Sequence, residues 1–192
     1  SRKGTRRAAG PTFPKIGLVE VLTQMKNHPH YQTPLEGECA GRGVAVGYWF
    51  NVGLESSVNI SVNSDGTITL VEGSTDIGGS RASIAMQAAE VLGIRAEDVK
   101  PSVVDTDSIG VTSLTGGSRT TYATGWAAYK AAENVKEQLI SRVATIWGVE
   151  ESTVSFDSGT FTSVNGTSQS MSFKELAAEL PGTGGTITGN GS

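Results

Sequence analysis

The order of elements in this sequence predicts an α+β fold, with mixed or antiparallel strands packed against helices, rather than a doubly wound α/β sheet. Three observations carry that reading. Residues 56–63 and 67–72 alternate apolar and polar side chains around Ser64-Asp65-Gly66, the pattern of a strand hairpin. Two long helical stretches, 82–92 and 120–147, each follow a Gly-Gly-Ser-Arg turn. After residue 150 the chain repeats short strands and one helix on a smaller scale.

Composition narrows the function classes. The chain has 192 residues, enough for one domain or two small lobes, and 25 glycines that follow no period, which excludes collagen-like and repeat architectures. A net charge of −4 argues against a general nucleic-acid or anionic-membrane surface, although a local anion site depends only on local groups. Cys39 is the single cysteine, so an internal disulfide is excluded, and it reads as a small hydrophobe. The two histidines, His28 and His30, flank Pro29 in a polar loop and assemble neither a zinc site nor a Ser-His-Asp set. No apolar run approaches the roughly 18 residues of a membrane span and no signal-peptide pattern is present, which predicts a soluble, unsecreted chain.

Residues 1–14 carry Arg2, Lys3, Arg6 and Arg7 without periodicity and read as a linker. Ile16, Leu18, Val19, Leu22 and Met25 mark one face of a short amphipathic helix within 15–27, ended by Pro29 and Pro34. The first 37 residues therefore form an N-terminal linker and helix, and 38–192 the main domain. Val44, Val46, Tyr48 and Phe50 predict a strand over 41–50, with Trp49 making its other face apolar. After the hairpin, Ile84, Ala88, Val91 and Leu92 share a helical face that Gly93 ends, and 99–105 is a strand. In the long helix Tyr122, Trp126, Tyr129, Leu139, Val143 and Ile146 are the larger candidates for burial. Ala123, Gly125, Ala127, Ala128, Ala131 and Ala132 invite close approach of a neighbour. Residues 154–156 and 160–164 read as strands, Asn165-Gly166 as a hairpin turn, and Ser172 with Glu175 as a capping box opening a helix. The tail 181–192 shows no closing element.

The two turns, Asp76-Ile77-Gly78-Gly79-Ser80-Arg81 and Leu114-Thr115-Gly116-Gly117-Ser118-Arg119-Thr120-Thr121, are the functional signal. Adjacent glycines let backbone approach a ligand closely. Ser118 is a natural helix cap, and the free N–H groups of a first helical turn beside Arg119 suit a phosphate or another oxyanion. Neither turn has the lysine of a P-loop or the spacing of a dinucleotide fold. Asp76, Asp105 and Asp107 lie near the turns, as proton-transfer candidates or as acceptors of turn N–H groups and arginine; the second role is favoured.

These segments resemble a known family. Gly41-Arg-Gly-Val-Ala-Val-Gly-Tyr, Glu72-Gly-Ser-Thr-Asp-Ile-Gly-Gly-Ser, Ala88-Ala-Glu-Val-Leu-Gly-Ile, Asp105-Thr-Asp and Thr115-Gly-Gly-Ser-Arg-Thr-Thr occur in the order found in the molybdopterin-binding large subunit of the xanthine dehydrogenase/aldehyde oxidase family. The resemblance is good over about 38–150 and weaker beyond. It implies an oxidoreductase that hydroxylates an aldehyde or a heteroaromatic ring with water as oxygen source. It implies molybdopterin, often as the cytosine dinucleotide, with molybdenum, and iron–sulfur clusters and FAD on partner domains or subunits. Carried over by position, Gly78, Gly79, Ser80 and Arg81 match one cofactor loop, and Gly116, Gly117, Ser118, Arg119, Thr120 and Thr121 another. Two departures stand out. Gly79 replaces a glutamine found in many family members, and neither the Gly-x-Gly-Glu segment of the catalytic glutamate nor a Gln-Gly-Phe-Gly loop is present. The sequence is thus expected to be a cofactor-binding part of a larger subunit, inactive alone, with its catalytic glutamate elsewhere and a cytoplasmic or exported location. A non-enzymatic anion- or nucleotide-binding domain and a purely structural module are the alternatives.

Overall fold

Alternating side chains on residues 58–62 and 68–72 put Val58, Ile60, Val62, Ile68 and Leu70 on one face, and that face is the floor of the core. The computed structural model describes residues 3–6, 12–14, 16–47, 49, 51–105, 107–163 and 168–192. They fall into two compact units, Ser1–Tyr48 and Trp49–Ser192, a division eleven residues later than one at 37/38. The arrangement is α+β, with one mixed and one antiparallel sheet.

In the first unit, α1 (Leu18–Asn27) and α2 (Pro29–Gln32) bury no residues. Val19, Leu22 and Met25 of the expected apolar face are exposed. Pro29 does not simply end a helix. It opens α2, where a missing N–H costs nothing, and His28 caps it by accepting from the His30 N–H through Nδ1. Cys39 is exposed rather than a core hydrophobe. Residues 41–47 of the strand expected over 41–50 take part in no strand pairing among the described residues, and Val44, Val46 and Trp49 are exposed. Tyr48 and Phe50 lie outside the described residues.

In the second unit, β1 (Val58–Val62) and β2 (Ile68–Glu72) form the expected antiparallel hairpin. Helix α3 (Ser80–Leu92) then carries the chain to β3 (Val99–Val103), which lies parallel to β2. Gly93, in the left-handed region, ends α3. A π-helical turn, Thr120–Thr124, leads into α4 (Gly125–Trp147). The last strand, β7 (Thr188–Gly191), pairs antiparallel with β1, so the sheet order is β3-β2-β1-β7. The tail therefore closes the main sheet, contrary to the sequence expectation. Its glycines supply the reason. A Cβ on Gly191 would sit 2.2 Å from the Ala127 carbonyl oxygen, and one on Gly189 2.6 Å from that of Ala131. Strand backbone thus rests directly on helix backbone, with packing in place of a side-chain pattern.

That contact decides which stripe of α4 is buried. Ala127, Ala128, Ala131, Ala132, Val135, Leu139 and Val143 face the core, as the small-residue run predicts. Tyr122, Trp126 and Tyr129 lie on the other side and are exposed, against expectation. The small second sheet contains β4 (Val154–Asp157), β5 (Thr160–Ser163) and β6 (Gln169–Ser172), paired antiparallel in that order. Helix α5 (Phe173–Glu179) follows, opened by the reciprocal Ser172–Glu175 capping box. Phe161, Phe173, Leu176 and Leu180 extend the core into this part. The Asn165-Gly166 turn lies outside the described residues. No described helix is long and apolar enough to cross a membrane.

Candidate functional site

The first turn is organised by Asp76. Gly78 and Gly79 are both left-handed (φ 60° and 81°), and Gly79 stands at the cap position of α3 with no side chain to cap it. Asp76 does that work from three residues upstream. Its Oδ1 accepts from the Arg81 N–H at 3.1 Å and from Ser80 Oγ at 3.2 Å, and its Oδ2 pairs with Arg81 Nε at 2.9 Å. Ser80 Oγ also accepts from the Ile77 N–H. The Arg81 backbone and then its side chain hold the Asp76 carboxyl below the usual carboxylate range. Asp105 is likewise held low, by Ser108 Oγ and then the Asp107 N–H. Both aspartates are turn acceptors, the favoured of their two sequence readings.

The second turn differs from its sequence description. Gly117 and Ser118 are both left-handed (φ 58° and 54°), and Arg119 rather than Ser118 occupies the helix-cap position. A capping serine needs extended backbone to bring its hydroxyl over the first-turn N–H groups, and a left-handed Ser118 cannot do so. The turn is pinned from outside instead: Asn51 Nδ2 donates to the Ser118 carbonyl at 2.7 Å and the Val52 N–H to that of Gly117 at 3.0 Å.

Arg119 is 1% exposed. Its Nε donates to the Gly53 carbonyl, Nη1 to those of Ser113 and Leu114, and Nη2 to that of Glu55 and to Ser56 Oγ. A guanidinium has five N–H donors, and here five acceptors meet them. The side chain therefore braces the loops beneath the turn, and burial lowers its pKa from the ordinary arginine value.

Donors remain at the turn itself. Among the described residues, the N–H groups of Gly116, Gly117 and Ser118 have no protein acceptor, and the buried Thr120 Oγ1 has no partner. Ser118 and Thr121 line an open groove of about 750 Å³ with Ser83 and Gln87 of α3 and with Tyr122 and Trp126. Gln87 Nε2 donates to the Thr121 carbonyl at 3.2 Å, linking α3 to the second helix start. Trp126 stacks on Tyr129, with centroids 5.0 Å apart and planes 4° apart. The donor set at 116–118, next in the chain to a buried cation, fits an oxyanion approached by backbone. The groove does not include Gly78, Gly79, Ser80 or Arg81.

Sequence reasoning also missed four buried polar side chains, Ser56, Glu72, Ser74 and Thr124. The period-2 pattern contains the signal for one of them. Glu72 follows Ile68 and Leu70 on the inward face of β2.

Comparison with known proteins gives the family of the chain. The molybdopterin cofactor-binding domain profile matches residues 24–192, both turns included. The chain belongs to the molybdopterin cofactor-binding domain family. It is 30% identical over 200 aligned residues to the probable hypoxanthine oxidase XdhD of Escherichia coli K12, covering 99% of this chain and 21% of that protein. It is 33% identical over 104 residues to the aldehyde oxidoreductase molybdenum-binding subunit PaoC of the same organism, covering 54% of this chain and 14% of that one. Among solved structures, CO dehydrogenase from Oligotropha carboxidovorans superposes with a TM-score of 0.63 at 25% identity, covering 72% of this chain and 18% of that one. This molybdopterin-binding chain thus spans about a fifth of the length of XdhD.

Proposed function

We propose that this chain forms one wall of the molybdopterin pocket in a molybdenum hydroxylase, within a larger subunit. Support comes chiefly from the second turn, where three consecutive N–H groups without protein acceptors immediately precede the buried Arg119. The cofactor's pyrophosphate would rest on the N–H groups of Gly116, Gly117 and Ser118, with the Ser118 and Thr121 hydroxyls as further contacts; the Thr120 hydroxyl is buried and does not face the groove. Arg119 contributes its charge and fixes the loop. At the Gly78–Gly79 turn Asp76 engages Ser80 Oγ and Arg81 Nε, which leaves backbone and the exposed Arg81 Nη groups to offer.

When bound, the molybdenum group supplies oxo transfer to an aldehyde or heteroaromatic carbon, with water as the oxygen source. This chain's residues bind and orient the cofactor; proton transfer falls to a glutamate outside it. The cytosine dinucleotide form, iron–sulfur and flavin partners and a cytoplasmic location complete the proposal. The test is molybdenum analysis and turnover with an aldehyde and a heteroaromatic substrate. We expect neither bound molybdenum nor product from the 192 residues alone, and both from the subunit that carries them. Hydroxylation by the chain alone, or firm selective binding of cytidine diphosphate without any molybdenum in the larger subunit, would overturn the proposal in favour of a self-sufficient enzyme or a simple nucleotide-binding domain.

A further inference from the structure

The four buried polar residues form a continuous path. Nη2 of Arg119 donates to Ser56 Oγ. Ser56 Oγ lies 2.8 Å from Thr124 Oγ1, which lies 2.7 Å from Ser74 Oγ. The Ser74 N–H in turn donates to Glu72 Oε2. No member is more than 5% exposed. The residues come from separate places: Ser56 just before β1, Glu72 and Ser74 at the end of β2 and start of the first-turn loop, Arg119 in the second turn and Thr124 at the end of its helical turn.

Donor counting fixes the first step of the path. A guanidinium can only donate, so Ser56 Oγ must accept from it. The Ser56–Thr124 and Thr124–Ser74 contacts each join two hydroxyls, either of which can donate. The Ser74 N–H holds Glu72 Oε2 and favours the carboxylate against burial, while Glu72 Oε1 is buried without a partner among the described residues. Polarised chains of this kind strengthen along their length, and one missing member leaves a buried group unpaired.

We propose that Glu72 is a positioning residue, and that the relay Arg119–Ser56–Thr124–Ser74–Glu72 holds the first-turn loop in register with the second turn. The assignment rests on reading both turns as walls of the cofactor pocket, but its geometry does not. Glu72 immediately precedes the loop that carries Gly78 and Gly79, while Arg119 fixes carbonyls at 53, 55, 113 and 114. A shift at either end would therefore reach the other through three hydroxyls.

Amide hydrogen exchange on the ligand-free 192-residue chain tests this. Ser56→Ala removes a hydroxyl that bonds to neither Ser74 nor Glu72. We expect it to speed exchange of the Ser74 amide by about fivefold or more, the effect of weakening a hydrogen bond to a charged group. Thr124→Val should do the same, and Thr124→Ser, which restores the hydroxyl, should exchange as the parent does. Unchanged Ser74 exchange in Ser56→Ala overturns the relay. So does a Thr124→Ser variant that behaves like Thr124→Val, because packing alone would then explain the site. Since the readout needs no cofactor, its failure leaves the cofactor reading standing, and loss of the cofactor reading leaves the exchange result standing.

Discussion

Replacing Arg119 by alanine separates a bracing arginine from a ligand-binding one. Truncation removes five donors at once and leaves four loop carbonyls and the Ser56 hydroxyl without their partner. Water can reach some of these acceptors once the side chain is gone, so the individual losses do not sum. Breaking a buried charged network costs about 3–5 kcal/mol. For a chain of this size that is a fall in Tm of roughly 6–20 °C. Arg119→Lys keeps the charge but has three donors for five acceptors, and should fall between the two, at about 2 kcal/mol. Urea denaturation followed by tryptophan fluorescence measures both. An outward, ligand-facing arginine would cost well under 1 kcal/mol when truncated in the absence of ligand. A loss that small for Arg119→Ala, or a lysine variant as stable as the parent, would refute the bracing assignment.

Two further outcomes follow from the same structure. Gly191→Ala places a methyl group within 2.2 Å of the Ala127 carbonyl oxygen, so β7 must move from α4; we expect a loss of about 1–3 kcal/mol by urea denaturation, and an unchanged midpoint would refute the backbone-on-backbone contact. The pH dependence has opposite signs at two carboxylates. Asp76 is held below its ordinary value, so its contribution is present above that value and lost as pH falls through the lower folded one. Glu72 is raised, chiefly by burial, with Asp76 adding to the shift and Ser74 and Arg81 opposing it; its contribution is present below the ordinary value and lost as pH rises through the raised one. Glu72→Gln should therefore gain on the parent as pH rises from the ordinary carboxylate value through the raised folded one, and a parent that gains on the variant over that range would reverse the sign we assign.

Much of the fold was legible because its signals are local. The β1–β2 hairpin shows in alternation, the ends of α3 and α4 in Gly93 and Gly148, and the start of α5 in a capping box. The errors have a shared cause, which is that pattern does not name the partner. Residues 41–47 alternate well, yet they pair with no strand among the described residues. The tail strand Thr188-Gly189-Asn190-Gly191 has almost no pattern, and it pairs because glycine lets it lie against α4. Likewise two stripes on α4 competed for burial, and the alanine stripe won because only it admits β7 that closely. Tyr122, Trp126 and Tyr129 were left outside.

At the site the glycine-rich wording was readable, but the roles within it were not. A Gly-Gly-Ser-Arg string says nothing about whether the arginine points outward or inward. That depended on carbonyls at 53, 55, 113 and 114, far away in sequence or hidden in loop conformation. Ser118 lost its capping role to a left-handed backbone that sequence does not specify for serine. Glu72 was visible on the inward face of β2, and the hydroxyls that serve it were not, since Ser and Thr are too common to mark a relay.

The cofactor claim stands or falls at Gly116. Its backbone is not left-handed, and an added Cβ would meet only the end of the Leu114 side chain at 3.0 Å, so a larger residue there is tolerated by the chain while covering the free N–H groups. The decisive measurement is molybdenum and released-pterin content of the cofactor-bearing subunit with Gly116→Val, set beside its unfolding midpoint. The account predicts an unchanged midpoint with molybdenum and pterin both lost; a folded variant that keeps its full cofactor would contradict it.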